Sequence, residues 1–123
     1  MSIPSQLLYT SHDEWIARDG DLLSVGITDH AQDALGELVH IELPEVGKRV
    51  ALGDIVCEVE SVKAVAEVYA PAAGVVVEVN EALGDDAQRI NADPYGCWIY
   101  KLKLDGPLSG LLDATEYAAK ISH

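Results

Sequence analysis

Lys63 is the residue whose surroundings do most to define a chemistry. It is the only basic residue between Arg49 and Arg89, and Glu58, Glu60 and Glu67 lie close to it along the chain. Two β-rich runs, Asp54 to Glu60 and Ala64 to Tyr69, flank it, so Ser61 to Lys63 read as the bend of a hairpin. A lysine at such a tip projects into water, and its amine is open to an enzyme that modifies it. As a plain turn lysine answering nearby carboxylates it would contribute at most ~1 kcal/mol as an exposed ion pair.

Other residue types with catalytic or ligating potential are scattered. Cys57 and Cys97 stand 40 positions apart, outside any Cys-x-x-Cys spacing and away from His, which argues against a zinc site and a disulfide framework and leaves free thiols. If their strands adjoin, the two become redox candidates able to exchange with a nearby disulfide. His12, His30, His40 and His123 show no metal-ligand spacing, so no metal is expected. No Gly-x-Ser-x-Gly elbow or phosphate-cradling glycine loop accompanies either cysteine, which disfavours a thiol enzyme. Trp15 and Trp98 are expected to pack in the core, the commoner role of an aromatic on a strand.

The elements that position Lys63 are mostly strands. Candidate strands cover Glu14 to Arg18, Leu22 to Ile27, Leu38 to Leu43, Asp54 to Glu60, Ala64 to Tyr69, Gly74 to Val79 and Trp98 to Leu104, a spacing that suits a sandwich or barrel. Two short helices are expected, Asp29 to Leu35 between a Thr28 cap and a Gly36 stop, and Ala114 to Ile121 behind an Asp113/Glu116 capping box. Ala51-Leu52-Gly53-Asp54 recurs as Ala82-Leu83-Gly84-Asp85, and coincidence and a pair of related β units, each turning at Gly-Asp, are both open. A chain of 123 residues supports one domain, residues 1–123, and 49% apolar residues support a packed core. The net charge of −13 makes nucleic acid a poor partner. No run approaches the ~20 apolar residues of a membrane span, and the N-terminus lacks a presequence pattern, so a soluble, cytoplasmic protein away from membranes is expected.

Glu60-Ser61-Val62-Lys63-Ala64, followed by Pro71 and Gly74, closely resembles the lipoylation hairpin of the glycine cleavage system H-protein family. The resemblance extends to Ser11-His12-Asp13-Glu14-Trp15, Gly26-Ile27-Thr28-Asp29-His30-Ala31-Gln32-Asp33, Leu35-Gly36-Glu37-Leu38-Val39, Leu43-Pro44-Glu45-Val46-Gly47, Asn80 and Asn91-Ala92-Asp93-Pro94-Tyr95-Gly96. It implies a mostly β barrel-sandwich hybrid of the lipoyl/biotinyl type, with lipoate joined to Lys63 by an amide and no catalytic centre of its own. Glu60, Ser61, Val62 and Ala64 would form the recognition hairpin read by lipoate-attaching enzymes. The arm would shuttle an aminomethyl group between glycine decarboxylase, aminomethyltransferase and dihydrolipoamide dehydrogenase.

Lysine plus lipoate gives a tether reaching on the order of 14 Å. A cargo amine benefits from a resting surface with carboxylates and little water, and Glu14 and Glu67 are the candidates for it. The family pattern is broken after Pro94-Tyr95-Gly96, where Cys97-Trp98 follows one residue early, so a tighter loop is expected. An H-like lipoate-binding protein of another pathway, such as bacterial sulfur oxidation with a heterodisulfide-reductase-like complex, would share this hairpin. A biotin carrier would normally flank its lysine with methionines, and the only one here is Met1.

Overall fold

Alternation of apolar and polar residues puts the chain into two antiparallel sheets that face each other across one apolar interior. The computed structural model describes residues 3–122. The larger sheet runs in the order β1 (Leu8–Tyr9), β2 (Glu14–Asp19), β3 (Leu22–Ile27), β9 (Tyr100–Leu104), β8 (Gly74–Val79) and β5 (Arg49–Val50). The smaller sheet runs β4 (Leu38–Glu42), β6 (Ile55–Ser61) and β7 (Val65–Tyr69). Ile16, Leu23, Val25, Val76 and Leu102 of the first sheet meet Ile41, Val59 and Val68 of the second in the buried core. Full burial of each such side chain is worth roughly 1.5–3 kcal/mol, so this contact holds the two layers together.

The strand that leads to Lys63 shows how its sequence sets its orientation. In β6, Cys57, Val59 and Ser61 point inward while Glu58 and Glu60 point to solvent. A register shift between Ile55 and Cys57 lets the adjacent Val56 and Cys57 both be buried. Helix α1 (Asp29–Leu35) starts where the Thr28 hydroxyl accepts from the Ala31 amide and stops at Gly36, whose φ of 83° suits glycine. Helix α4 (Ala114–Ile121) carries the expected capping box of Asp113 and Glu116. Both helices therefore span the expected residues.

Several details differ from the sequence reading. Two-residue strands β1 and β5 and single-turn helices α2 (Ala82–Asp85) and α3 (Arg89–Ala92) are too short to carry a periodic signal. The Gly-Asp repeat does not form two like turns. Gly53, with φ of 87°, turns the chain, and Asp54 accepts from the Ala51 amide, whereas the second copy coils into α2 because Leu83 is drawn into the core. After Asp93, the amide of Gly96 donates to both the backbone and side-chain oxygens of that residue, and a Cβ at Gly96 would collide with the Asp93 carboxyl. That close approach lets the chain turn tightly after Asp93.

A second cluster, of Leu7, Tyr9, Trp15 and Tyr117, seats α4 on the end of the larger sheet. Tyr9 and Tyr117 stack with centroids 4.7 Å apart. The Tyr117 hydroxyl lies 2.7 Å from the Thr28 hydroxyl and donates to the Asp13 carboxylate at 2.9 Å. It thereby clamps the turn at Asp13, which holds a positive φ of 65° and whose carbonyl accepts from the Thr28 amide. Replacing Tyr117 by Phe leaves the buried Thr28 hydroxyl and the half-buried Asp13 carboxylate each short of a bond, and thermal unfolding should show a loss of about 1–3 kcal/mol.

Candidate functional site

The bend after β6 is built around one hydroxyl. The Ser61 Oγ accepts from the amides of Lys63 (3.3 Å) and Ala64 (3.0 Å) and lies 3.2 Å from the Ala64 carbonyl, to which it donates its own proton. The Ser61 amide also donates to the Ala64 carbonyl at 2.8 Å. Serine is suited to this position because a short side chain can fold back onto the backbone amides of its own turn. The Val62 amide donates to the Glu37 carbonyl at 3.0 Å, tying the tip to the segment after α1. With the backbone fixed, Val62, Lys63 and Ala64 remain exposed.

The stem of Lys63 lies across Gly36, where an added Cβ would sit 3.6 Å from its Cε. Asn91, on α3, braces the underside of this region. Its Oδ1 accepts from the Leu38 amide at 2.9 Å, and its Nδ2 donates to the Gly36 carbonyl and the Gln32 Oε1, each at 2.9 Å. Among the described residues Lys63 makes no ion pair. Its amine is thus free while its Cα is held from two sides, which fits the attachment of a long flexible group.

Glu14 is not the solvated strand-edge carboxylate that its polarity alone suggests. It is 1% exposed, its Oε1 accepts from the Thr10 hydroxyl at 2.8 Å, and its Oε2 accepts from the Tyr69 amide at 2.6 Å. The second bond crosses from β2 to β7 and so joins the two sheets. Burial raises its pKa to about 7, against the lowering effect of the two hydrogen bonds. Glu67, by contrast, is exposed on β7 and accepts from the Tyr69 hydroxyl at 3.3 Å. Tyr69 therefore touches both carboxylates, one through its amide and one through its hydroxyl. The sequence reading missed it, and also the bracing by Asn91, since neither contact follows from periodicity.

Two clefts open beside this group. One, of about 190 Å³, lies between α1 and the hairpin, with Ile27, Ala31, Leu35, Val59 and Val68 in its walls and Glu67 at its rim. The other, of about 320 Å³, includes Thr10, Glu14, Leu52, Tyr69, Pro71 and Leu111. His12 lines both, with its ring 4.3 Å from that of Tyr69.

The remaining candidates stand apart from the tip. Cys57 is buried on β6, and burial, followed by the nearby Glu14, pushes its thiol up to about 12. Cys97 is half-buried in the loop before β9, donates to the Arg89 carbonyl at 3.4 Å, and is also raised by burial. Both thiols stay protonated at neutral pH, which opposes thiol exchange. His30 and His40 lie on α1 and β4, and His123 falls outside the described residues. Among the described residues no three of His, Cys, Asp and Glu gather as metal ligands. Trp15 is buried with its indole N–H donating to the Pro94 carbonyl, and Trp98 is half-buried beneath the Lys101 ammonium.

Comparison with known proteins gives this geometry a context. The family model described as glycine cleavage H-protein matches residues 7–123. The chain belongs to this family. It is 57% identical to the probable glycine cleavage system H protein of Pyrococcus horikoshii, over 91% of this chain and 87% of that protein. It is 48% identical to glycine cleavage system H protein 2 of Pseudomonas syringae pv. tomato, over 98% of this chain and 97% of that one. The crystal structure of a glycine cleavage system H protein from Mycobacterium marinum superposes with a TM-score of 0.92 at 44% identity, covering 98% of this chain and all of that one.

Members of the family carry lipoate covalently on a lysine and act as carriers, not as catalysts. They serve glycine decarboxylase, aminomethyltransferase and dihydrolipoamide dehydrogenase. The fold expected from the sequence, two sheets of a mostly β chain, is the one found, and the family supports the glycine cleavage reading over the sulfur-oxidation one. No helix among the described residues is long and apolar enough to cross a membrane.

The buried Glu14 sets a pH dependence. Its folded pKa lies above the ordinary carboxylate value, so its neutral form is favoured by folding; stability is greatest below about pH 4.5 for this group and is lost as pH rises through about 7. Glu14→Gln keeps an acceptor for the Tyr69 amide and removes the charge. Denaturant unfolding at pH 8 should therefore show the variant more stable than wild type by up to about 3 kcal/mol, with the difference gone at pH 4.

Proposed function

We propose that Lys63 is the lysine that carries lipoate in this chain, and that the hairpin tip is what the attaching enzyme reads. The observation that supports this is an exposed amine, free of ion pairs among the described residues, on a Cα pinned by the Ser61 hydroxyl and by the Val62–Glu37 bond. Glu60, Ser61, Val62 and Ala64 present it. Glu60 supplies an outward carboxylate, Ser61 the turn geometry, and Val62 and Ala64 small exposed surfaces on either side. When bound, lipoate supplies a dithiolane that takes up and releases a one-carbon amine unit and a pair of electrons.

The chain's own part is to hold the attachment point still and to shelter what the tether brings. A tether reaching on the order of 14 Å can lie along β7 as far as Glu67, four residues or about 13 Å beyond Lys63. There it meets the apolar cleft between α1 and the hairpin, with Glu67 at the rim and Glu14 beyond Tyr69. Apolar walls exclude water and the carboxylates favour a cationic amine, so we assign Glu14 and Glu67 to the resting surface. The whole chain, residues 1–123, is taken as one carrier domain. The cytoplasm is its proposed location, where the free thiols Cys57 and Cys97 stay reduced.

Intact-mass analysis of protein from cells supplied with lipoate tests the attachment point. Wild type should gain one lipoyl mass and Lys63→Arg none, although Arg keeps the charge; modification of Lys63→Arg would disprove the assignment. Ser61→Ala frees the amides of Lys63 and Ala64, and should lower the initial rate of lipoylation by roughly tenfold, the equivalent of losing about one hydrogen bond's net 1.4 kcal/mol at the tip.

A further inference from the structure

Two kinds of bond act on the bend that bears Lys63. Those of Ser61 stay inside the hairpin, so they shape the turn without aiming it. Aim comes from the bond that leaves the hairpin, in which the Val62 amide donates to the Glu37 carbonyl at 3.0 Å. The β4–β6 ladder is irregular just here, its register shifting between Leu38 and His40 beside the Leu38–Ser61 pair. Glu37 itself is exposed, in the short link between α1 and β4, so its carbonyl points at Val62 only if something holds that link.

Asn91 holds it on both sides. Its Oδ1 accepts from the Leu38 amide and its Nδ2 donates to the Gly36 carbonyl, so one side-chain amide grips the two neighbours of Glu37. These partners also decide which way the amide faces, because a backbone N–H can meet only its oxygen and a backbone carbonyl only its NH2. The other Nδ2 proton goes to the Gln32 Oε1, and the Gln32 amide donates in turn to the Asp29 carboxylate at 2.7 Å. Ile90, the preceding residue on α3, is fully buried in the core and anchors the helix from which Asn91 reaches.

We propose that Asn91 is a positioning residue for the attachment of lipoate: by fixing Gly36 and Leu38 it aims the Glu37 carbonyl at the Val62 amide, and through that bond it sets where Lys63 is offered to the attaching enzyme. This deepens the carrier reading and rests on it. In the attachment step the neutral Lys63 amine takes the lipoyl acyl group from an acyl adenylate, forming an amide, losing a proton and releasing AMP, so the place of the amine governs the rate. With Asn91 intact the bend is held in the aimed arrangement. Without it the bend keeps its shape but samples other directions, and the enzyme binds the chain with an affinity reduced by the aimed fraction. Asn91→Asp isolates the effect. It has nearly the same shape and still accepts from Leu38, but it sets an oxygen against the Gly36 carbonyl, which cannot reverse its polarity.

The test uses the full-length chain without lipoate and reads two quantities. Amide hydrogen exchange should show Val62 exchanging about tenfold faster in Asn91→Asp, with Lys63 and Ala64, held by Ser61, and the core amides of Val25 and Val59 within about twofold of wild type. Lipoyl transfer by a lipoate ligase, given lipoate and ATP, should show the KM for the chain rising about fivefold with kcat kept. Gln32→Ala, which removes one of the three partners of Asn91, should give the same pattern at about threefold in exchange and takes the place of Asn91→Asp if that variant does not fold. Unchanged Val62 exchange overturns the proposal, and so does an equal rise at the core amides, which would mark a general loss of stability. An unchanged KM, or a fall in kcat alone, overturns it too. Wild type that takes no lipoyl group at Lys63 defeats the attachment assignment, whereas variants that load as wild type does defeat only the role of Asn91.

Discussion

Everything this molecule presents to the outside depends on a turn whose backbone is satisfied from within. Three residues, Val62 to Ala64, reverse the chain between β6 and β7, and a turn of that kind normally relies on water for its amides. Here one serine hydroxyl accepts two of them and a neighbouring loop carbonyl takes a third. Since the backbone needs nothing more, the side chain of Lys63 is left without a structural duty. A group meant to be handed between other proteins must be attached to something that does not itself move, and the hydrogen bonds around Ser61 meet that requirement.

The second constraint is electrostatic. A carboxylate buried between two sheets costs stability once it ionises, and Glu14 holds its place with two hydrogen bonds in a region that also contains the buried Tyr100 hydroxyl and Cys57. Proteins keep such groups where charge is useful and water is not. The bond from Tyr69 to Glu14 joins the larger sheet to the hairpin strand that follows Lys63, so one side chain links packing of the layers to the polarity of the site. The surplus of acidic residues elsewhere is ordinary surface charge by comparison, spread over exposed positions and screened by salt.

Much of this arrangement is legible in the residues alone. Thr28, Gly36, Asp113 and Glu116 mark both longer helices because capping chemistry is local. The hairpin is legible for the same reason, since Glu-Val-Glu alternation and a serine before the bend are short-range signals. What stays hidden is set by contacts across the fold. Glu14 looks like a surface acid because nothing near it in sequence foretells that a strand 55 residues later will donate an amide to it. Tyr69 and Asn91 join distant segments in the same way. The repeated Ala-Leu-Gly-Asp misleads because identical residues follow different demands, one copy turning at Gly53 and the other coiling so that Leu83 can be buried.

The hydrogen bond from Val62 to the carbonyl of Glu37 has one more consequence. It joins positions far apart in the chain, and the glycine over which the lysine lies belongs to a helix terminus outside the hairpin. A synthetic peptide with the same bend sequence would lack both supports. The shape offered around the amine is therefore a property of the assembled molecule, and an enzyme that responds to that shape reads a chain's conformational maturity along with its local sequence.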